Sequence, residues 1–102
     1  MIARVSSFEG VNVEEAERTM DQAEAIIRPM MDDLAGYKGH LERLSPDGKV
    51  LSIVLFDSEA SAEAAEPTFE EEMPRRLSEL YRRWGGRRVF VHRYDVISQS
   101  RR

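Results

Sequence analysis

Lys38, His40 and Glu42 occupy alternate positions of "GYKGHLERL", a stretch that reads as a β-strand. Alternate strand residues share a face, so an ammonium, an imidazole and a carboxylate would stand together as a set able to move a proton. The plainer expectation is a wet or interface-lining face on a probable edge strand, with His40 at its rim. In "RVFVHRYDVI", His92 shares a face with Phe90 and Tyr94. It is either a general base or a histidine satisfied by a neighbouring backbone group or carboxylate. Arg4 lies in the first strand, where a cation is seldom left unpaired. Its alternatives are an oxyanion-stabilising role and a salt bridge to Glu42 or Asp95 at a subunit interface. A metal centre needs three or four convergent ligands. His40, His92 and one carboxylate reach that number only if strand pairing unites them, so no metal is assigned. Trp84 and Tyr81 close a helix, where large rings ordinarily complete a core.

The elements that must position these groups follow from periodicity. Residues 2–8, "IARVSSF", suit a strand bounded by Gly10. Asn12 and Glu15 form a capping-box pattern. Behind it, Val13, Ala16, Met20, Ala23, Ile27, Met30 and Leu34 recur at steps of three and four, which predicts a helix to about Leu34 with a kink at Pro29. Residues 37–44 and 49–56 form a hairpin about "SPDG", where Pro46 presets a turn torsion and Gly48 supplies a positive φ. The strand "VLSIVLF" is apolar on both faces and so asks to be covered twice. Val50, Val54 and Phe56 are taken as the face left open, with Phe90 and Val96 adding to it.

Asp57 or Ser58 caps a second helical region that Pro67 restarts, with Thr68 and Glu71 as a further capping box and Pro74 as a second kink. Phe69, Met73, Leu77, Leu80 and Trp84 form its core stripe. Gly85 and Gly86 stop it, and residues 88–97 make the last strand. The order β-α-β-β-α-β predicts an α+β, ferredoxin-like domain over residues 1–97, with residues 98–102 as a loose tail. Its four-stranded antiparallel sheet carries both helices on one face. The uncovered apolar face calls for a second copy, sheet against sheet, as a homodimeric α+β barrel.

Composition narrows the classes. The 102 residues are 41% apolar and 33% charged, an ordinary globular balance. The longest apolar run is far short of the roughly 20 residues a bilayer needs. The start "MIARVSSFEG" lacks the pattern of a secretory signal, so the expected location is cytoplasmic. With no cysteine there is no disulfide framework, thiol nucleophile or thiolate-bound cluster. Residues 1–74 hold 6 Lys/Arg against 17 Asp/Glu, and residues 75–102 hold 9 against 2. The basic end does not amount to a nucleic-acid site, because the acidic bulk repels phosphate and no aromatic residues interleave the arginines.

Four segments carry a family resemblance: "MIARVSSFEG", Pro29 followed by "LAGYKGHLERL", "GKVLSIVLFDSEASAEAAE", and "VHRYDVI". The chain resembles the dimeric α+β barrel domains of the antibiotic-biosynthesis-monooxygenase type, over nearly its whole length. The resemblance implies a ligand space between helices and sheet. Haem-degrading relatives carry a helical histidine, a strand tryptophan and a first-strand asparagine; here Glu66, Phe56 and serines stand at those places, so the chain departs from that arrangement at all three. Quinol-oxidising relatives use no cofactor: an electron-rich substrate reduces oxygen itself, while the protein supplies a dry pocket, a proton acceptor and an oxyanion partner. That comparison makes His92, Tyr94 and Arg4 the catalytic candidates and Ser6, His40 and Trp84 the ligand-binding candidates for a small aromatic or polyketide-type molecule. The alternative is a non-catalytic binding or structural dimer. A polar cavity near His92 or Tyr94 would favour the first reading, and a helix–sheet space filled by Met, Leu and Trp84 the second.

Overall fold

The computed structural model describes residues 1–100; the last two residues of the expected tail, 101 and 102, lie outside the described residues. Strand β1 (Ile2–Val11) leads into helix α1 (Val13–Asp32), where Asn12 Oδ1 accepts the Glu15 amide at 3.1 Å and so caps the first turn. Helix α1 runs through Pro29, which falls near its end, and stops at Asp32, two residues before the expected limit. Gly36 follows at φ +74°, and a side chain there would collide with Asp57 and Ser61. The position therefore serves both the chain reversal and the close approach of the next loop. Strands β2 (Tyr37–Leu44) and β3 (Val50–Phe56) form the expected hairpin, closed by the Gly48 amide on the Ser45 carbonyl at 3.1 Å.

The second helical region is broken into pieces. Ser58 caps α2 (Glu59–Ala64), and a π-helical turn (Thr68–Glu72), α3 (Met73–Arg76) and α4 (Ser78–Trp84) follow. The Thr68 capping box does not form, because Pro67 precedes the turn without a side-chain cap. Pro74 lies in the first turn of α3, where a missing N–H costs nothing. The Met73 amide instead reaches back five residues to the Thr68 carbonyl, which is the π-helical bond. Strand β4 (Gly85–Asp95) begins three residues earlier than its sequence pattern indicates and includes both glycines.

All pairings are antiparallel, and the sheet order is β2-β3-β1-β4. This is the α+β, ferredoxin-like arrangement expected from the sequence. The helices cover one face, where Phe56, Val54 and Leu77 are the largest fully buried side chains. That placement corrects the expected parity of β3. Val54 and Phe56 face the helices, and Leu51, Ile53 and Leu55 lie on the open face beside Val5, Leu41 and Phe90. The open apolar face is present, but it is made of the opposite set of β3 residues. Among the described residues, no helix is long and apolar enough to cross a membrane. Arg82, Arg87 and Arg88 of the basic end each pair with a glutamate, Glu79, Glu9 and Glu70 respectively.

Candidate functional site

Strand register places the polar groups in rows across the sheet. On the helix-covered face, Ser6, Ser52 and Glu42 stand side by side on β1, β3 and β2. The next row is Arg4, Val54 and His40. A β-bulge between Tyr37 and Gly39 shifts the alternation of β2. As a result His40 and Glu42 turn toward the helices, whereas Lys38 lies against Leu55 and Met1. This overturns the expected wet face: the three residues of the alternate set are not together, and two of them point into the layer between helices and sheet.

Helix groups complete the cluster. Tyr37 donates its hydroxyl to His40 Nδ1, and His40 Nε2–H donates to Glu24 Oε1 at 3.4 Å, a pairing that suits the tautomer protonated on Nε2. Glu24 Oε2 is buried without a hydrogen-bond partner. The Ser52 hydroxyl donates to Glu42 Oε1 at 3.5 Å. Burial pushes the Glu42 carboxyl pKa up, and the charge of Glu24 adds to the rise while His40 and Ser52 oppose it. Burial, with the nearby Glu42 charge, pushes Tyr81 up to about 12, so it remains a neutral donor. Tyr81 packs against Trp84 with centroids 5.5 Å apart, and Trp84 Nε1–H donates to Thr19 Oγ1 at 2.7 Å. The Thr19 hydroxyl in turn donates to the Glu15 carbonyl. The arrangement joins a proton-accepting carboxyl, a neutral phenol and an indole in one partly dry layer.

Arg4 sits elsewhere on the same face. It is 4% exposed, with Nε donating to Glu66 at 2.9 Å, Nη2 to Glu70 at 3.0 Å, and its guanidinium 4.2 Å from the centre of the Phe69 ring. Neither Glu42 nor Asp95 is its partner; the acids come from the second helical region, inside one copy of the chain. His92 and Tyr94 lie across the sheet on the open face, where the Tyr94 hydroxyl and His92 Nδ1 are hydrogen-bonded at 3.0 Å. The sheet therefore separates His92 and Tyr94 from Arg4. Ser6, His40 and Trp84 all belong to the helix-covered side.

Sequence reasoning passed over Glu24 and Ser52 as site residues, took Tyr81 as core packing, and placed Glu42 on a wet or interface-lining face. The available signal was that Ser52 alone interrupts an apolar strand, which marks a polar row rather than a defect. The centre of the layer is filled by Met30, Met31, Met73, Leu77 and Leu80 around Phe56. Two open depressions lie outside it: one of about 450 Å³ beside Met1, Lys38 and Leu55, the other of about 360 Å³ beside Pro67, Glu71 and Arg75. Among the described residues, no group of three His, Cys, Asp or Glu is disposed to hold a metal ion.

No family model matches the chain, and no curated protein matches it by sequence. Solved structures do match its fold. A dimeric ferredoxin-like protein from an uncultured marine organism superposes with a TM-score of 0.72 at 12% identity, covering 99% of this chain and 98% of its own. A candidate antibiotic biosynthesis monooxygenase from Deinococcus radiodurans gives 0.66 at 12% identity, with 99% and 97% covered. SnoaB, a cofactor-independent oxygenase from Streptomyces nogalater, gives 0.65 at 12% identity, with 96% and 94% covered. At such identities the likeness is one of fold, and it is the monooxygenase-like, ferredoxin-like fold implied by the sequence resemblance.

Proposed function

We propose that this protein binds a small electron-rich aromatic molecule of the polyketide type between its helices and sheet, and oxidises it with molecular oxygen without a resident cofactor. The observation that carries the reading is the row Ser6, Ser52 and Glu42 on the helix-covered face, with Ser6 buried, Ser52 and Glu42 half-buried and the Glu42 charge felt by Tyr81, in a fold shared with a cofactor-independent oxygenase. A carboxyl whose pKa is raised by burial is a better proton acceptor than an exposed one. Glu42 takes the phenolic proton, Tyr81 donates to the developing oxyanion, and the deprotonated ring passes four electrons to oxygen, keeping one oxygen atom as a quinone carbonyl and releasing the other as water. His40, Ser6 and Trp84 line the ligand. Arg4 holds the helix against the sheet rather than touching substrate.

Glu42→Gln tests this reading by oxygen uptake with a panel of hydroquinones and polycyclic phenols. Turnover falls by about 100-fold, the usual scale for a lost general base. Stability moves the other way. A carboxyl with a raised folded-state pKa favours the folded state below its unfolded pKa and loses that contribution as pH rises through the folded value. At neutral pH the wild-type chain therefore carries an unfavourable buried charge, and Glu42→Gln raises the melting temperature there. A panel that shifts the melting temperature but consumes no oxygen identifies the second reading, a non-catalytic ligand-binding or structural module, which the methionine and leucine filling of the layer favours.

We also propose that the protein is a homodimer through its open sheet face. Leu41 is 51% exposed and lies in one row with Ile53 and Val5, and the dimeric ferredoxin-like neighbour shares the fold. Ile53→Asp places one carboxylate per copy in that contact, at a cost of several kcal/mol without a partner. Light scattering at micromolar concentration is expected to give twice the chain mass for the wild type and 11.7 kDa for Ile53→Asp. A wild-type particle of single-chain mass removes the dimer.

A further inference from the structure

His92 occupies an anomalous place on the open face. The row across the sheet that contains it reads His92, Val5, Ile53 and Leu41, from β4 through β1 and β3 to β2. Three of the four are aliphatic. The Phe90 ring stacks on the imidazole with centroids 4.9 Å apart, and the Tyr94 hydroxyl is hydrogen-bonded to Nδ1, with no hydrogen bond at Nε2 among the described residues. A neutral ring costs an apolar contact far less than an imidazolium does.

The charged groups on this face supply no counter-ion. Arg43 lies in the row of Phe90, and Lys38 lies beside Leu55. The acid on this face, Glu9, is at its far end and already holds Arg87 at 3.4 Å. Among the described residues no carboxylate forms an ion pair with His92, and the helices all pack on the other face. A two-fold partner brings the same set: two further cations and a paired acid.

We infer that the dimer contact is a pH switch, in which protonation of His92 sets the two copies apart. The inference rests on the sheet-to-sheet dimer proposed above. An imidazolium in that contact would have neither water nor an acid, so closing the two copies over a charged ring is costly. Association is therefore expected to be tight where the ring is neutral and to weaken on acidification, as the ring takes up a proton.

Sedimentation equilibrium at pH 8.0 and pH 5.5, at one ionic strength, measures the effect. The dimer dissociation constant is expected to rise at least tenfold at the lower pH for the wild type and to stay level for His92→Gln and His92→Phe. Circular dichroism of the monomeric Ile53→Asp variant at both pH values separates dissociation from acid unfolding. A wild-type dimer equally tight at both pH values overturns the switch and leaves the dimer standing, as does a His92→Gln protein that keeps the pH dependence. A monomer at both pH values overturns the switch and the dimer together.

Discussion

Phe56→Ala lowers the melting temperature by on the order of 15 °C or more. Phe56 is 0% exposed and closes β3 between Ile2 on β1 and Tyr37 on β2, under the edge of Phe69 at a centroid distance of 6.3 Å. Truncating a buried phenylalanine costs about 3–5 kcal/mol, because the transfer energy is lost and the cavity relaxes only partly. For a domain near this size each kcal/mol corresponds to roughly 4–8 °C. The neighbours decide where in that range the value falls. Met30, Met31 and Met73 belong to the same core, and their flexible side chains can fill part of the space, so the lower half is expected. Phe56→Leu keeps most of the volume and serves as the mild control. Denaturant unfolding that places Phe56→Ala within about 1 kcal/mol of the wild type would show that this ring does not anchor the layer.

How much of this was legible in the sequence depends on which physical signal a residue leaves. The hairpin was legible because Pro46, Asp47 and Gly48 each impose a torsion locally. Helix α1 was legible because its apolar residues keep a single period over twenty positions. The side on which β3 faces the helices was not, since Val54 and Phe56 are no more apolar than Ile53 and Leu55, and only the neighbouring strands decide. The bulge at Tyr37 and Gly39 defeated the alternation rule for His40 and Glu42: one extra residue reverses every side chain after it. The π-helical turn came from two prolines at either end of a short segment, a pattern read as kinks. The partners of Arg4 lay 62 and 66 positions away, a distance at which no local rule operates. Glu66 and Glu70, four apart on a helix with Phe69 between them, were nevertheless a visible acidic pair awaiting a cation.

That pair carries the other large effect. Glu66→Gln combined with Glu70→Gln strands the Arg4 guanidinium in the layer without a carboxylate, and removing the partners of a buried charge typically costs about 3–5 kcal/mol. The two acids are 30% and 38% exposed at the side chain, so water can reach part of the site, and about 3 kcal/mol is expected from chemical denaturation. Adding Arg4→Met to the double variant removes the stranded charge and returns most of the loss, because an uncharged side chain of similar length fills the same space. Arg88→Gln alone, which breaks the exposed arm to Glu70, changes stability by no more than about 0.5 kcal/mol. The pH dependence gives an independent check. The hydrogen bond from Arg88, followed by the charges of Arg88 and Arg4, holds the Glu70 carboxyl below its ordinary value. A depressed carboxyl contributes stability above its unfolded pKa and loses it as pH falls through the folded value. The wild type therefore gives up this contribution on the acid side of the ordinary carboxylate range. The double glutamine variant has already lost it and shows a shallower acid slope. If the double variant unfolds within about 0.5 kcal/mol of the wild type, Arg4 draws its stability from Phe69 and the sheet rather than from its acids.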